Sequence, residues 1–393
     1  MEIFDIIHGN IEVCDMGKKI IDTPEFQRLR KIKQLGCCYL VFPSAVHTRF
    51  EHSVGVYHLA KQYIENLDPL NEYFTEREKL CIRIAGLIHD IGHGPYSHLF
   101  DDLVNKGKNH EYRSGCLFKI MNTKYSLGFS PEEIEFILEV INPNPNITEN
   151  KYKYQIISNK NGIDVDRFDY IMRDIRMTGL NYGIEYDRIM KHSKIVDDRI
   201  MFSDKVKTNI EEFFRVRFIM YREVYNHRTV RCLEYMVSDF INQIDELICI
   251  KKTIEEDNFD EFLEINDNII DIVKFVNIRT KENDYVSKAV ELINRIDKRD
   301  IYKSVGEIEL DSDLLGENFI NIYNNIDKDI IVDKIKISYY GKEMCEFYSN
   351  DKYRKYGIEK KNSDIFIISV YYKDKMYEEN AMKYLDGLLP LKI

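Results

Sequence analysis

The chain has no run of 18 uncharged apolar residues, so a membrane-spanning helix is not expected. Its first residues, Met1-Glu2-Ile3-Phe4-Asp5, lack a basic stretch followed by an apolar one, and no export signal is read there. None of the eight cysteines stands in a CxxC pair. Cys37 and Cys38 are adjacent and the rest are scattered, which fits reduced thiols in a cytoplasmic or nuclear compartment. The sequon Asn146-Ile147-Thr148 is accordingly read as unmodified. Positive charge is in deficit: the formal net charge is −11, which argues against a protein that coats nucleic acid by neutralising phosphates. There is no GxxxxGK[ST] loop either, so any phosphate must be held by side chains, and hydrolysis fits better than ATP-driven work. No internal repeat or low-complexity tract stands out.

What the chain has is 393 residues, 44% hydrophobic and 31% charged, enough for one large core or a core with a satellite lobe. It also has a concentration of histidine. Leu87-Ile88-His89-Asp90-Ile91-Gly92-His93-Gly94-Pro95-Tyr96-Ser97-His98 places three of the ten histidines beside an aspartate. An adjacent His-Asp pair offers an imidazole nitrogen and a carboxylate oxygen, a mixture that first-row divalent ions accept while leaving positions open. Two ligands rarely suffice. Arg49-Phe50-Glu51-His52-Ser53 supplies His52, and Asn161-Gly162-Ile163-Asp164-Val165-Asp166-Arg167 supplies Asp166. By spacing alone Asp166 is not separated from Asp164, Asp169 and Asp174, and three of these four are read as solvated or capping groups. His93 and His98 are surplus to that set and suit phosphate binding or general acid work, because imidazole titrates near neutrality. Asp101 follows His98 by three residues and could orient it, and His110-Glu111 repeats the pairing. Arg49, Arg167 and Arg217 could hold a polyphosphate, although each alone reads equally as a surface ion pair.

Local patterns place these groups. Residues 22–35 read as a helix capped by Thr23 with Pro24 in its first turn and a basic face of Arg28, Arg30, Lys31 and Lys33. Phe50 to Leu67 reads as a second, with Val54, Tyr57, Ala60 and Ile64 on one face. A third, about 76–91, delivers His89-Asp90 at its C-terminal end, where Gly92, Gly94 and Pro95 break it. Ser130-Pro131-Glu132-Glu133 is a capping box. Helices also fit 164–175, 207–222 and 228–250. Beyond about 255 the organisation weakens, and alternation over Ile335–Tyr339 and Ile365–Tyr371 indicates a small sheet. The fold class expected is mostly α, a helical bundle with a small α+β C-terminal lobe.

The blocks Ile7-His8-Gly9-Asn10-Ile11-Glu12, Ile21 to Arg30, Phe42-Pro43, Arg49 to Ser53, His89 to Asp101, Asn161 to Asp174 and Tyr225-Asn226-His227 together resemble the HD-domain phosphohydrolase superfamily. Within it the chain is similar to the SAM-and-HD-domain deoxynucleoside triphosphate triphosphohydrolases. The resemblance covers roughly residues 1–310, expected to be the HD core with regulatory helices, and leaves 311–393 as the small α+β lobe. It implies His52, His89, Asp90 and Asp166 as ligands of iron, zinc, manganese or magnesium, with further magnesium accompanying the nucleotide. His93, His98, Asp101, His110 and Glu111 fall on its catalytic positions. His98, supported by Asp101, would protonate the 5′ leaving oxygen, and His93 and His110 would face the α-phosphate. Arg49, Arg167, Tyr170 and Arg217 match triphosphate contacts. Gln34, Leu35, Asp174, Tyr225 and Asn226 match sugar or substrate positions, with Leu35 and Tyr225 leaving no room for a 2′-hydroxyl.

The same resemblance implies regulation. Asp22, Gln27 and Arg30 match a guanine-nucleotide activator site, and Val41, Phe42, Arg188, Lys205, Asn209, His227, Arg228, Arg299 and Lys303 resemble a second nucleotide site. A nucleotide-activated homo-oligomer, dimer or tetramer, would follow, with dNTP as substrate and GTP or dNTP as activators. There are departures: Ser203 stands where an arginine is expected, Asn226 where a glutamine is, and Met1 lies almost where the core motif begins. The sterile alpha motif and an upstream basic activator contact are therefore expected to be lacking. The expected reaction is dNTP to deoxynucleoside and inorganic triphosphate. The alternatives are a nucleotide-sensing protein that signals through assembly, and a metal-dependent nuclease or other HD nucleotide phosphohydrolase.

Overall fold

The computed structural model describes residues 1–104, 107–280, 284–310, 326–349, 352–357 and 364–388. Their packing forms two units that interleave along the sequence. The first comprises Met1–Val216, Ile250–Asn268 and Tyr340–Glu359; the second comprises Arg217–Cys249, Ile269–Tyr339 and Lys360–Ile393. The boundary expected after residue 310 opens onto residues outside the described set. Among the described residues no helix is long and apolar enough to cross a membrane.

The first unit is built around the helix Arg49–Leu67. It opens with a capping box in which the Thr48 N–H donates to the Glu51 carboxylate at 3.0 Å, so Glu51 is spent on the helix end. Val54, Tyr57, Ala60 and Ile64 are buried as expected, but so are Phe50, Val56, Leu59, Tyr63 and Leu67. A helix apolar on nearly all sides has to lie inside its unit. It packs against Glu76–Ile88 and Val165–Thr178. Glu76–Ile88, capped by Thr75 and Glu78, buries Cys81, Ile82, Ile84, Ala85, Leu87 and Ile88 and stops at His89. Asp164 caps Val165–Thr178 by accepting the Arg167 N–H at 3.0 Å.

The stretch 22–35 departs from expectation. Thr23 caps as read, accepting the Phe26 N–H at 3.3 Å, but only Pro24–Gln27 is α-helical. A 3₁₀ turn, Arg28–Lys31, follows and Ile32 is extended. The basic face dissolves with it, because Arg28 is 5% exposed and points inward. Two short hairpins escaped the sequence pattern: Glu2–Asp5 with Gly9–Glu12, and Ser193–Val196 with Arg199–Ser203. Strands of four or five residues are too short for alternation to register. The second hairpin continues into a sheet with Glu346–Ser349, parallel to Arg199–Ser203, and with Lys352–Gly357.

In the second unit Arg228–Ile248 is strongly amphipathic and packs its Leu233, Met236, Val237 and Phe240 face against Asp284–Asp297. The weaker organisation expected beyond 255 is overturned, since Ile269–Thr280 and Asp284–Asp297 are regular helices. The expected small sheet is present and has three antiparallel strands. Ile365–Tyr372 lies between Lys303–Leu310 and Ile330–Ile337, and the helix Glu378–Leu388 covers one face through Ala381 and Leu388. The mostly α architecture with a small α+β C-terminal part is as the pattern implied.

One packing constraint reaches the site directly. At Gly92 a Cβ would overlap the His110 carbonyl and the Ser114 amide, so the loop after His89 lies flush on the helix His110–Lys124. Gly92→Ala should lower stability by about 1–3 kcal/mol, the usual cost of overpacking. Thermal unfolding measures it, and an unchanged midpoint would mean that the loop and helix are not in contact.

Candidate active site

Three helices of the first unit converge at one point. His52 comes from the first turn of Arg49–Leu67, His89 and Asp90 from the end of Glu76–Ile88, and Asp166 from the first turn of Val165–Thr178. His52 Nε2 lies 3.1 Å from Asp166 Oδ1, 3.2 Å from His89 Nε2 and 3.6 Å from Asp90 Oδ2. His89 Nε2 lies 3.4 Å from Asp90 Oδ1 and 3.5 Å from Asp166 Oδ1. Donors about 2.0–2.2 Å from one cation stand roughly 2.9–3.6 Å from each other. The set therefore fits a divalent ion.

The groups behind these ligands decide which atoms face inward. Asp169 Oδ2 accepts His52 Nδ1 at 2.8 Å, and the Gly86 carbonyl accepts His89 Nδ1 at 2.8 Å, leaving both Nε2 atoms to the centre. Asp169 is itself gripped by Arg173, at 3.0 and 2.9 Å, and by His8 Nε2 at 2.7 Å. Arg173 also holds Asp5 at 2.7 Å, which ties the N-terminal hairpin to the ligand sphere. Of the neighbouring carboxylates, Asp164 caps its helix, while Asp169 is not solvated as the spacing suggests but buried, and Asp174, which the resemblance gives a place at the sugar, is 1% exposed. Asp174 bonds His47 at 2.7 Å. The signals for Asp169 and Arg173 were present: they form an i,i+4 acid–base pair on a helix, and His8-Gly9 sits in an ordered motif.

Next to the ligands stand three more histidines. His93, His98 and His110 each bring a ring nitrogen within 4.8 Å of the others, and His93 stacks on His110 at 3.9 Å. His93 is fully buried and its Nε2 lies 3.3 Å from Asp90, while His98 is exposed. Here the expected partnership changes. Asp101 accepts His110 Nδ1 and Arg113 Nη2, each at 2.5 Å, so it orients His110 and not His98. Spacing on a helix suggested the His98 pairing, but the fold folds His110 back onto the same carboxylate. Glu111 accepts from Asn142 at 2.8 Å and Asn109 at 3.2 Å and bonds none of the histidines.

Arg49 is buried, donating to Asp90 Oδ2 at 2.5 Å and to Ser97 Oγ at 2.8 Å. Arg167 pairs with Asp164 and donates to the Asn159 carbonyl at 3.3 Å, and Tyr170 is half-buried near the His52 ring. Gln34 and His47 are buried, and Gln34 Oε1 and His47 Nδ1 lack partners among the described residues. Gln27 accepts Arg30 Nε at 2.9 Å, while Asp22 is exposed. Arg188 donates to Asn209 at 3.2 Å, Lys205 is exposed, and Leu35, Val41 and Phe42 are half-buried. Arg217, Tyr225, Asn226, His227, Arg228, Arg299 and Lys303 belong to the second unit. There Arg217 donates to the Ser338 carbonyl at 3.0 Å, and His227 caps Arg228–Ile248 through the Thr229 N–H.

Burial alone would lower the His52 imidazole, but Asp166 and Asp169 outweigh it and bring the pKa up to about 10; His89 is raised by Asp90 and Asp166 against the same burial. Enclosure, then the charges of Arg49 and His110, holds the buried His93 well below the ordinary range, and His98, whose side chain is exposed, is displaced in the same downward direction by the same two charges. Burial opposes ionisation of Asp101, yet the His110 hydrogen bond keeps its carboxyl well below the usual value. His52 and His89 are thus displaced towards the cation, and the neighbouring His93 and His98 towards the neutral ring.

The bundle and this donor set define an HD-domain hydrolase. The HD domain family pattern matches residues 49–174, and that of the HD associated region matches 184–332. The chain is 34% identical over 371 residues to the deoxynucleoside triphosphate triphosphohydrolase SAMHD1 homolog of Dictyostelium discoideum, spanning 90% of this chain and 71% of that one. It is 38% identical over 356 residues to a putative HD domain-containing protein of Acanthamoeba polyphaga mimivirus, spanning 81% and 76%. With human deoxynucleoside triphosphate triphosphohydrolase SAMHD1 it shares 33% over 403 residues, 92% of this chain and 63% of that protein. The chain belongs to the SAM-and-HD-domain deoxynucleoside triphosphate triphosphohydrolase family.

A metal needs neutral imidazoles, so His52 and His89 must lose protons to bind one. Titrating metal-free protein with Mn²⁺ or Zn²⁺ near pH 7 should release about one proton or more per ion, and binding should tighten as pH rises from about 6 to 8. Calorimetry in buffers of different ionisation enthalpy reads this, and zero release would mean that both imidazoles were already neutral. Replacing His89 and Asp90 together by alanine should yield protein that purifies without metal; full occupancy would contradict the ligand set.

Proposed function

We propose that the protein hydrolyses a deoxynucleoside triphosphate to deoxynucleoside and inorganic triphosphate. The observation that carries this reading is the contact between a four-residue donor set and three adjacent histidines: a cation site and a cluster of phosphate-facing imidazoles share Asp90 as a common wall. The names of the relatives point to the same substrate class. His52, His89, Asp90 and Asp166 would hold the ion, which when bound supplies a Lewis acid for the phosphoryl centre.

The other groups then take defined parts. Water attacks the α-phosphorus and gives up one proton to solvent, the bond to the 5′ oxygen breaks, and that oxygen takes a proton from His98, which solvent then restores. In the protein alone His98 is neutral at pH 7; a triphosphate beside it raises its pKa, because a nearby negative charge favours the imidazolium. His93 and His110 face the α-phosphate, with Asp101 and Arg113 fixing His110. Arg49, Arg167 and Tyr170 contact the triphosphate. Gln34, Leu35 and Asp174 hold the sugar. The unpartnered Gln34 Oε1 supports that assignment, since a buried acceptor without a donor costs about 1–3 kcal/mol that a sugar hydroxyl can recover. Glu111, held by Asn142 and Asn109 at the start of the His110 helix, is left no proton-transfer part.

Activation is the second half of the proposal. Gln27 with Arg30, and Arg188 with Asn209, are paired in ways that a nucleotide could exploit. Asp22 would join the first site, and Val41, Phe42, Lys205, His227, Arg228, Arg299 and Lys303 the second, across copies of a homo-oligomer.

Incubating the purified protein with each dNTP and a divalent ion, with and without GTP, should give free deoxynucleoside and triphosphate by chromatography and phosphorus NMR. Diphosphate release, equal turnover of ribonucleotides, or binding without turnover would overturn the reading. His98→Ala should slow turnover by roughly a hundredfold or more while nucleotide binding persists; unchanged turnover would remove His98 from proton transfer.

A further inference from the structure

We propose that Asp267 is a positioning residue for this site, holding the Tyr96–Ser97 turn, and through it Arg49 and His98, from a segment remote in sequence. The turn needs holding. Tyr96 and Ser97 both have φ of +60°, the left-handed region that residues with a Cβ avoid, and two in succession persist only when their surroundings fix them.

Asp267, 6% exposed, supplies the fixing contacts. Its Oδ1 accepts the Tyr96 N–H and its Oδ2 the Lys33 N–H, both at 2.9 Å, with Lys33 Nζ at 3.6 Å. Its backbone adds two more bonds: the N–H donates to the Lys31 carbonyl at 3.2 Å, and the carbonyl accepts the Tyr96 hydroxyl at 3.2 Å. One carboxylate thus fastens the 31–33 segment to the turn. That segment completes the connection, because the Lys33 carbonyl accepts the Ser97 hydroxyl at 2.7 Å, and Ser97 Oγ accepts Arg49 Nε at 2.8 Å. His98, the next residue, begins the helix His98–Val104.

Neighbouring contacts grip the same loop. Arg28 bridges the His93 carbonyl at 2.7 Å and the Ile265 carbonyl at 2.6 Å, its guanidinium 4.3 Å from the centre of the Phe262 ring. Gly36, at φ +49°, lies so close to Tyr96 that a Cβ would stand 2.9 Å from the Tyr96 carbonyl oxygen. Residues 262–267 therefore act on the catalytic loop without touching a metal ligand, and they lie outside the 49–174 HD match but inside the 184–332 HD associated match. That gives the HD associated region a part in the chemistry: it holds the loop in its working shape.

The activity arm of the test rests on the hydrolase reading above; the exchange arm does not. Amide exchange by mass spectrometry across 92–100 should be at least tenfold faster in Asp267→Ala, with peptides from 165–178 unchanged, and metal content should match wild type. The kcat for dNTP should fall at least tenfold. Adding Tyr96→Gly to Asp267→Ala should recover part of that kcat, because glycine removes the left-handed penalty at the position whose N–H Asp267 holds, leaving only that of Ser97. A carboxylate that merely glued the fold would not be rescued this way. Asp267→Asn, which keeps one acceptor and faces an amide at the other N–H, should fall in between and serves where the alanine variant fails to fold. Wild-type exchange across 92–100, wild-type kcat in either single variant, or no recovery with Tyr96→Gly overturns the proposal. If wild-type protein turned over no dNTP, the function assignment would fail and the exchange arm would still decide the role of Asp267.

Discussion

An imidazole offers two nitrogens, and a metal centre depends on which of them is already spoken for. In this protein the acceptor behind His52 is the Asp169 carboxylate and the acceptor behind His89 is the Gly86 carbonyl. Both rings are thereby turned so that Nε2 faces Asp90 and Asp166. Asp169 could not sit uncompensated in the core, since an isolated buried carboxylate would be neutralised. Arg173 and His8 keep it ionised, and burial is overcome so far that its carboxyl lies well below the ordinary range. The ligand geometry is thus inherited from a charge network that runs out to the N-terminal hairpin through Asp5.

A second layer of the site repeats the logic. Asp101 takes His110 and Arg113 on its two oxygens, and Arg113 also donates to the Gly92 carbonyl at 2.8 Å. Arg28 takes the His93 carbonyl, Ser114 the Gly92 N–H, and Asp267 the Tyr96 N–H. Four backbone groups of the loop after His89, the Gly92 N–H and carbonyl, the His93 carbonyl and the Tyr96 N–H, are thus held by side chains from elsewhere. They supplement turn bonds inside the loop, such as His93 N–H to the Asp90 carbonyl and Ser97 N–H to the Gly94 carbonyl, both at 3.1 Å.

How much of this the sequence disclosed follows from the range of each signal. Helix caps are local, so Thr23, Ser130 and the helices bearing His52, His89 and Asp166 were legible. The fold class and the four candidate ligands came from spacing within such helices and from family resemblance. What acts across the chain was hidden. Asp101 stands three residues from His98 yet serves His110, because pairing in space is decided by how two helices meet. Arg28 read as surface charge, although its partners are carbonyls of residues 93 and 265. Asp267 lies in an unremarkable acidic stretch, and nothing near it in sequence announces a strained turn 171 residues away. The N-terminal hairpin was missed because four-residue strands give alternation too little length.

The claim on which the site stands is that two imidazole nitrogens and two carboxylate oxygens surround one cation. X-ray absorption fine structure at the edge of the metal carried by the purified protein tests it most directly. The result expected is a first shell of nitrogen and oxygen only, near 2.0–2.2 Å, with outer-shell scattering from about two imidazole rings. Sulfur in the first shell, or no imidazole scattering, would contradict it.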